Sequence, residues 1–224
     1  QSRWTNEPVM HLFPHWNRTG SEGEVIPVIC YTNCESVELF VNGTSYGEQT
    51  LSFPRYGMDP AKGWGEQDWA SFVRPDTADL HLKWTVPYEP GTLRAVGKRD
   101  GDVVCEQEIV TTGAPEQIKV TADREAIMAD GRDVVHLTVE VLDAEGRPVP
   151  TADDLITFDV QGPGCIIGVD NGNPVSHEPF QANERHLFNG LCLAIVRSTT
   201  TAGTLEVTAT APGLEADSVR VTTT

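Results

Sequence analysis

Apolar and polar residues alternate in short runs along most of the chain, and no long stretch keeps the i, i+3, i+4, i+7 spacing of an amphipathic helix. The pattern predicts an all-β protein. In the first half a strand is expected from Val25 to Tyr31, then another with Val37, Leu39 and Val41 on one face and Glu38 and Phe40 on the other. Asn42-Gly43 follows, a pair that tolerates the positive φ angles of a tight hairpin, and Tyr46-Gly47 starts the return. Further strands are predicted at Trp69 to Val73, Leu80 to Trp84, Leu93 to Val96 and Val103 to Val110, about enough for one sandwich.

Thr111-Thr112-Gly113-Ala114-Pro115 interrupts the alternation, which resumes at Ile118, Val120 and Ala122. Beyond it Val135, Leu137, Val139 and Val141 share one strand face, and Asp143-Ala144-Glu145-Gly146 supplies a turn. Strands at Ile156 to Val160, Ile166 to Val169, Leu191 to Arg197, Leu205 to Ala209 and Val219 to Val221 complete a second set. The Thr-rich segments Ser198 to Thr201 and Thr222 to Thr224 suit strand surfaces, because Thr is β-branched. The expectation is two consecutive immunoglobulin-like β-sandwich domains, residues 1–112 and 113–224, and a length of 224 residues fits two such domains.

Composition narrows the function classes. The formal charge of −17 leaves no cationic excess to displace counterions, so neither nucleic acid nor an anionic membrane surface is an expected partner. There is no apolar run of membrane-spanning length and no cleavable leader pattern. A chain that begins at Gln1 is expected to be a segment of something longer. Five cysteines, at 30, 34, 105, 165 and 192, lack metal-ligand spacing, and Cys30, Cys105 and Cys192 sit in apolar runs where a thiol packs as a small hydrophobe.

Motifs that carry chemistry are scarce. H-E-x-x-H, G-x-S-x-G and the phosphate-loop pattern do not occur, and Gly162 to Gly168 lacks both the spacing and the following helix of a dinucleotide loop. Asp170-Asn171-Gly172-Asn173-Pro174 lacks the calcium-loop order and predicts a tight turn. No catalytic, cofactor or metal residue is expected. Ser176-His177-Glu178 forms the most suggestive cluster, with His177 and Glu178 as candidate substrate or interface contacts, although the same residues suit ordinary loop hydrogen bonding. The long Gly- and Pro-rich stretch between Leu51 and Gln67 adds Tyr56 and Trp64, with Trp69 just beyond. These rings are expected either to contact a ligand or to fold back as an apolar plug.

Longer strings carry a family likeness. His11-Leu12-Phe13-Pro14-His15-Trp16-Asn17, Tyr31 to Gly43, Leu80 to Trp84 and Val86 to Gly97 resemble, in the same order, the domain that follows the catalytic barrel in family 2 glycoside hydrolases of the β-galactosidase type. Gly168 to Pro174, Ser176 to Phe180, Phe188-Asn189-Gly190 and Leu193 to Arg197 resemble the terminal domain of those enzymes. Arg18 departs from the pattern, standing where a further aromatic is expected, and the region from Leu51 to Arg74 is longer than in simpler relatives.

The resemblance implies a non-catalytic C-terminal region of a bacterial, Bacteroides-like parent, whose catalytic glutamates sit in a barrel outside this chain. It implies no cofactor. The implied partners are the catalytic barrel of the parent polypeptide, galactose-containing glycans and a homo-oligomer of the parent. The implied setting is periplasmic or extracellular, with the cytoplasm left open. Two alternatives stand beside it: a carbohydrate-binding module that stacks Trp or Tyr on sugar faces, and an adhesin-like spacer, because bacterial immunoglobulin-like modules share the turn style of Asp143 to Val149.

Overall fold

The computed structural model describes residues 4–50 and 81–224, and its described residues contain strands and no helix. Tyr56, Trp64, Trp69 and the strand expected at Trp69 to Val73 lie outside the described residues. The chain divides into two compact units, Gln1–Thr111 and Thr112–Thr224, each with its own apolar core.

In the first unit β1 (Met10–Phe13), β2 (Val25–Thr32) and β5 (Leu82–Pro87) form one sheet in the order β1-β2-β5. A second sheet has the order β4-β3-β6-β7, from β3 (Ser36–Val41), β4 (Thr44–Thr50), β6 (Thr92–Arg99) and β7 (Asp102–Val110). Alternation decides which residues meet. Leu12, Ile26, Val28, Cys30, Trp84 and Val86 from one sheet and Val37, Leu39, Val41, Leu93 and Ala95 from the other join one buried cluster. Each aliphatic side chain removed from water there contributes about 1.5–3 kcal/mol before entropy is counted. Between β3 and β4 the predicted hairpin forms at Asn42 and Gly43, both at positive φ, with Val41 opposite Thr44.

β2 carries a proline where a central strand would lose a ladder bond. Pro27 pairs with Thr85 of β5, but β1 reaches only from Ile29 to Thr32, so among the described residues no strand pairs with the other side of β2 at Pro27.

The second unit contains β8 (Gln117–Ala122), β10 (Val134–Leu142), β12 (Gly164–Asp170) and β14 (Leu191–Ser198) in the order β12-β14-β10-β8. Its other sheet is β13-β11-β15-β16-β9, from β9 (Ala126–Ile127), β11 (Leu155–Gln161), β13 (Glu184–His186), β15 (Gly203–Thr210) and β16 (Asp217–Thr223). Val135, Leu137, Val139 and Val141 are all buried, as their spacing predicts. The turn after β10 is organised by Asp143, whose buried carboxylate accepts from the amides of Gly113, Glu145 and Arg147 and from Arg147 Nε.

Among the described residues, three strands were not expected from the sequence. β9 and β13 have two and three residues, too few for alternation to register, and β1 is a four-residue strand closed by Pro14. Thr199 to Thr201 do not join a strand; Thr199 N–H donates to Pro163 O and Thr201 N–H to Thr199 Oγ1, which bends the chain between β14 and β15. Thr222 and Thr223 do lie in β16.

Candidate functional site

Among the described residues a dense polar constellation lies in the second unit, where the loop from Asn171 to Asn183 joins β12 to β13. That loop is too polar to hold itself by apolar burial, and one side chain anchors it. Arg185, on β13, is 1% exposed. Its Nη1 donates to Glu178 O (3.1 Å) and its Nη2 to Asn171 Oδ1 (3.0 Å). Asp170 Oδ1 lies 3.6 Å from Nη2 and Glu178 Oε2 lies 3.7 Å from Nε, so these carboxylates compensate the buried charge at ion-pair range. The guanidinium also sits 5.2 Å from the ring centre of Phe180.

Glu178 is turned onto this network. Its Oε1 accepts from His186 N–H (3.2 Å) and pairs with His186 Nδ1 at 2.7 Å, while Oε2 accepts from Ser176 Oγ at 2.9 Å. Hydrogen bonding from His186, helped by Ser176 and opposed by partial burial, pulls the Glu178 carboxyl down to about 2. A general acid needs the opposite displacement, so this arrangement suits holding the loop rather than donating a proton. The Asp170 carboxyl is likewise lowered by the amides of Gly172 and Asn171, then by Arg185. His177 is exposed beside Glu178, and Val175 and Phe180 are exposed on the same loop.

A hollow of about 240 Å³ adjoins the loop, lined in part by Asp170, Asn171, Gly172, Leu191 and Leu193. It is smaller than the roughly 300–1,000 Å³ of ordinary small-molecule sites. Among the described residues no group of three or more His, Cys, Asp and Glu is placed to hold a metal ion.

Sequence reasoning singled out His177 and Glu178 and missed Arg185. The signal was parity: Arg185 and Leu187 are two apart, and in an extended segment ending on a buried Leu187 the residue two before it points inward as well.

The first unit holds a corresponding irregular segment between β1 and β2, and it is anchored by aromatic residues. Trp16 is fully buried, its Nε1 donates to Glu89 O (2.9 Å), and its ring meets Tyr88 edge-on at 5.0 Å. Tyr88 Oη donates to Trp16 O and accepts from Arg18 N–H, and Thr111 Oγ1 also donates to Trp16 O. The Phe13-Pro14-His15-Trp16 string thus delivers an indole into the core.

Comparisons with known proteins agree with this architecture. Residues 118–220 match "Glycoside hydrolase family 2 C-terminal domain 5", and residues 23–105 match "Domain of unknown function (DUF4982)". The chain is 43% identical over 215 residues to beta-galactosidase BoGH2A of Bacteroides ovatus, covering 96% of this chain and 22% of that protein. It is 29% identical to a beta-glucuronidase of Formosa agariphila, covering 98% of this chain and 20% of that one. This chain thus spans about a fifth of the length of these relatives. A glycosyl hydrolase family 2 member from Bacteroides cellulosilyticus superposes with a TM-score of 0.83 at 32% identity, over 100% of this chain and 29% of its own. By sequence and by fold, the chain belongs to the C-terminal domains of glycoside hydrolase family 2.

Proposed function

We propose that this chain is the non-catalytic C-terminal region of a β-galactosidase-type family 2 hydrolase and that it braces the catalytic part of its parent. The galactoside assignment is favoured because the 43% identical relative bears that name, whereas two relatives of Formosa agariphila named as a putative beta-glucuronidase and a beta-glucuronidase are 33% and 29% identical. A periplasmic or extracellular setting and a parental homo-oligomer belong to the same reading.

The observation that carries the proposal is the outer face of the β1-β2-β5 sheet. An antiparallel sandwich normally turns polar residues outward. β2 instead presents Val25, Pro27, Ile29 and Tyr31, with Val25 69% and Tyr31 42% exposed. His11 and Phe13 of β1 continue this face, and Phe13 stacks on Tyr31 with ring centres 5.5 Å apart, while Tyr31 meets His81 edge-on. On β1 and β2 this makes an exposed apolar and aromatic strip, bordered on β5 by the exposed Lys83 and Thr85, of the kind that marks interaction surfaces. His177 and Glu178 are secondary candidates for contact.

The test is to express the parent enzyme without these residues, and then to supply this chain in trans. Binding in the micromolar range or tighter, with a rise in the enzyme's thermal inactivation temperature that Ile29→Lys with Tyr31→Lys abolishes, is expected. Absence of binding together with unchanged inactivation would overturn the bracing role. Retardation of the chain in gels containing galactan, relieved by lactose, would favour the carbohydrate-binding alternative.

A further inference from the structure

In the first unit two thiols meet across a strand that neither belongs to. Cys34 lies in the short connection from β2 to β3, is buried, and its N–H donates to Thr32 Oγ1 at 3.0 Å. Cys105 lies on β7 directly opposite Gly97 of β6. Their sulfurs are 3.3 Å apart.

Gly97 is what permits the approach. A Cβ at that position would stand 2.6 Å from Cys34 Sγ, 2.9 Å from Cys105 Sγ and 2.8 Å from the Met10 terminal methyl, distances that real side-chain atoms do not adopt. The missing side chain is the space in which the two sulfurs lie. A disulfide has an S–S length of about 2.05 Å, so the pair is roughly 1.3 Å from bonding distance, a gap that side-chain rotation in this space is expected to close.

We infer that Cys34 and Cys105 form an oxidative cross-link site, closed by thiol–disulfide exchange with a low-molecular-weight disulfide. One cysteine thiolate attacks the reagent and releases one reagent thiol; the second thiolate attacks the mixed disulfide and releases the other. Two protein thiols lose two electrons and two protons, and one reagent disulfide becomes two thiols. Cys30 is buried nearby and stays a thiol, because Cys34 and Cys105 are already in contact with each other.

Burial and the bond to Cys34 push the Cys105 thiol up to about 12, and burial does the same to Cys30. The Cys105 thiolate is therefore scarce once the unit is folded, and its part in the exchange belongs to the folding chain rather than to the finished domain. The bond would tie residues 71 apart in sequence.

The experiment is to unfold the purified chain in reductant and refold it in a glutathione buffer containing excess oxidised glutathione. It is then alkylated with iodoacetamide in urea, and its peptides are mapped by mass spectrometry. Two of the five thiols should resist alkylation, as one cross-linked peptide pair joining Cys34 to Cys105. The oxidised chain should also show a tryptophan-fluorescence melting transition at least about 5 °C above that of the reduced chain. Cys30→Ser should keep the cross-link, and Gly97→Ala, which wedges the sulfurs apart, should lower its yield several-fold. Five alkylated cysteines after refolding, or a cross-link through Cys30, would overturn the inference.

Discussion

Each unit has an irregular segment that must be pinned to a sandwich, and the two units pin theirs by opposite means. In the first, the stretch after β1 is held by Trp16 against Tyr88, an apolar plug whose polar atoms are paired with backbone carbonyls and amides. In the second, the loop from Asn171 to Asn183 is held by Arg185, a buried cation compensated by Glu178, Asp170 and Asn171. The lesson is that a loop's composition dictates the kind of anchor it needs. An aromatic plug is stabilised by area removed from water and does not depend on pH. A buried arginine is stable only while each of its partners stays charged or hydrogen-bonded.

The two anchors can be tested apart because the first unit alone carries tryptophan. All five tryptophans, at 4, 16, 64, 69 and 84, fall within the first unit, so fluorescence follows that unit, and a far-UV circular-dichroism transition that fluorescence does not follow belongs to the second. The largest effect is expected from Trp16→Ala, about 3–5 kcal/mol lost in urea denaturation followed by the remaining tryptophans. Arg185→Leu should cost about 3 kcal/mol in the circular-dichroism transition, because Glu178 and Asp170 lose their cation, while the fluorescence transition stays in place. An equal shift in both signals would show that the anchors do not act locally. Tyr88→Phe keeps the plug and deletes only the hydroxyl; about 1–2 kcal/mol should be lost from the first unit, since Trp16 O retains Thr111 as a donor.

The smallest effect is the most specific. The Glu178 carboxyl titrates near 2 in the folded chain against an ordinary value of 4.5, so its contribution is complete above pH 4.5 and is lost as pH falls toward 2. The second unit should therefore weaken through that window, and Glu178→Gln should flatten that part of its acid limb by about 1 kcal/mol, given the partial exposure of the group. The aromatic anchor of the first unit contains no carboxylate and should show no matching step.

Much of the fold was legible in the residues. The run of Val135, Leu137, Val139 and Val141 can bury only one face, and Asn42-Gly43 suits a hairpin with two positive φ angles, so these elements follow from local chemistry. The candidate site was half legible: Ser176, His177 and Glu178 drew notice as polar residues in a loop, but their partner Arg185 sits in Asn183-Glu184-Arg185-His186, where nothing but parity with Leu187 marks it as buried. Tyr56, Trp64 and Trp69 lie outside the described residues.

Periodicity, turn chemistry and composition were enough to determine the all-β class, the positions of most strands and the inward face of each, because side-chain alternation and backbone dihedral limits act within a few residues. Which strands share a sheet, which loop closes over Arg185 and which thiols meet above Gly97 depended on contacts between residues tens of positions apart. Those contacts are chosen by packing two sheets face to face while most buried polar groups find partners, Arg185 Nε and Ser198 Oγ being buried without a hydrogen bond. Local pattern makes the strands, and the shared core decides what they bring together.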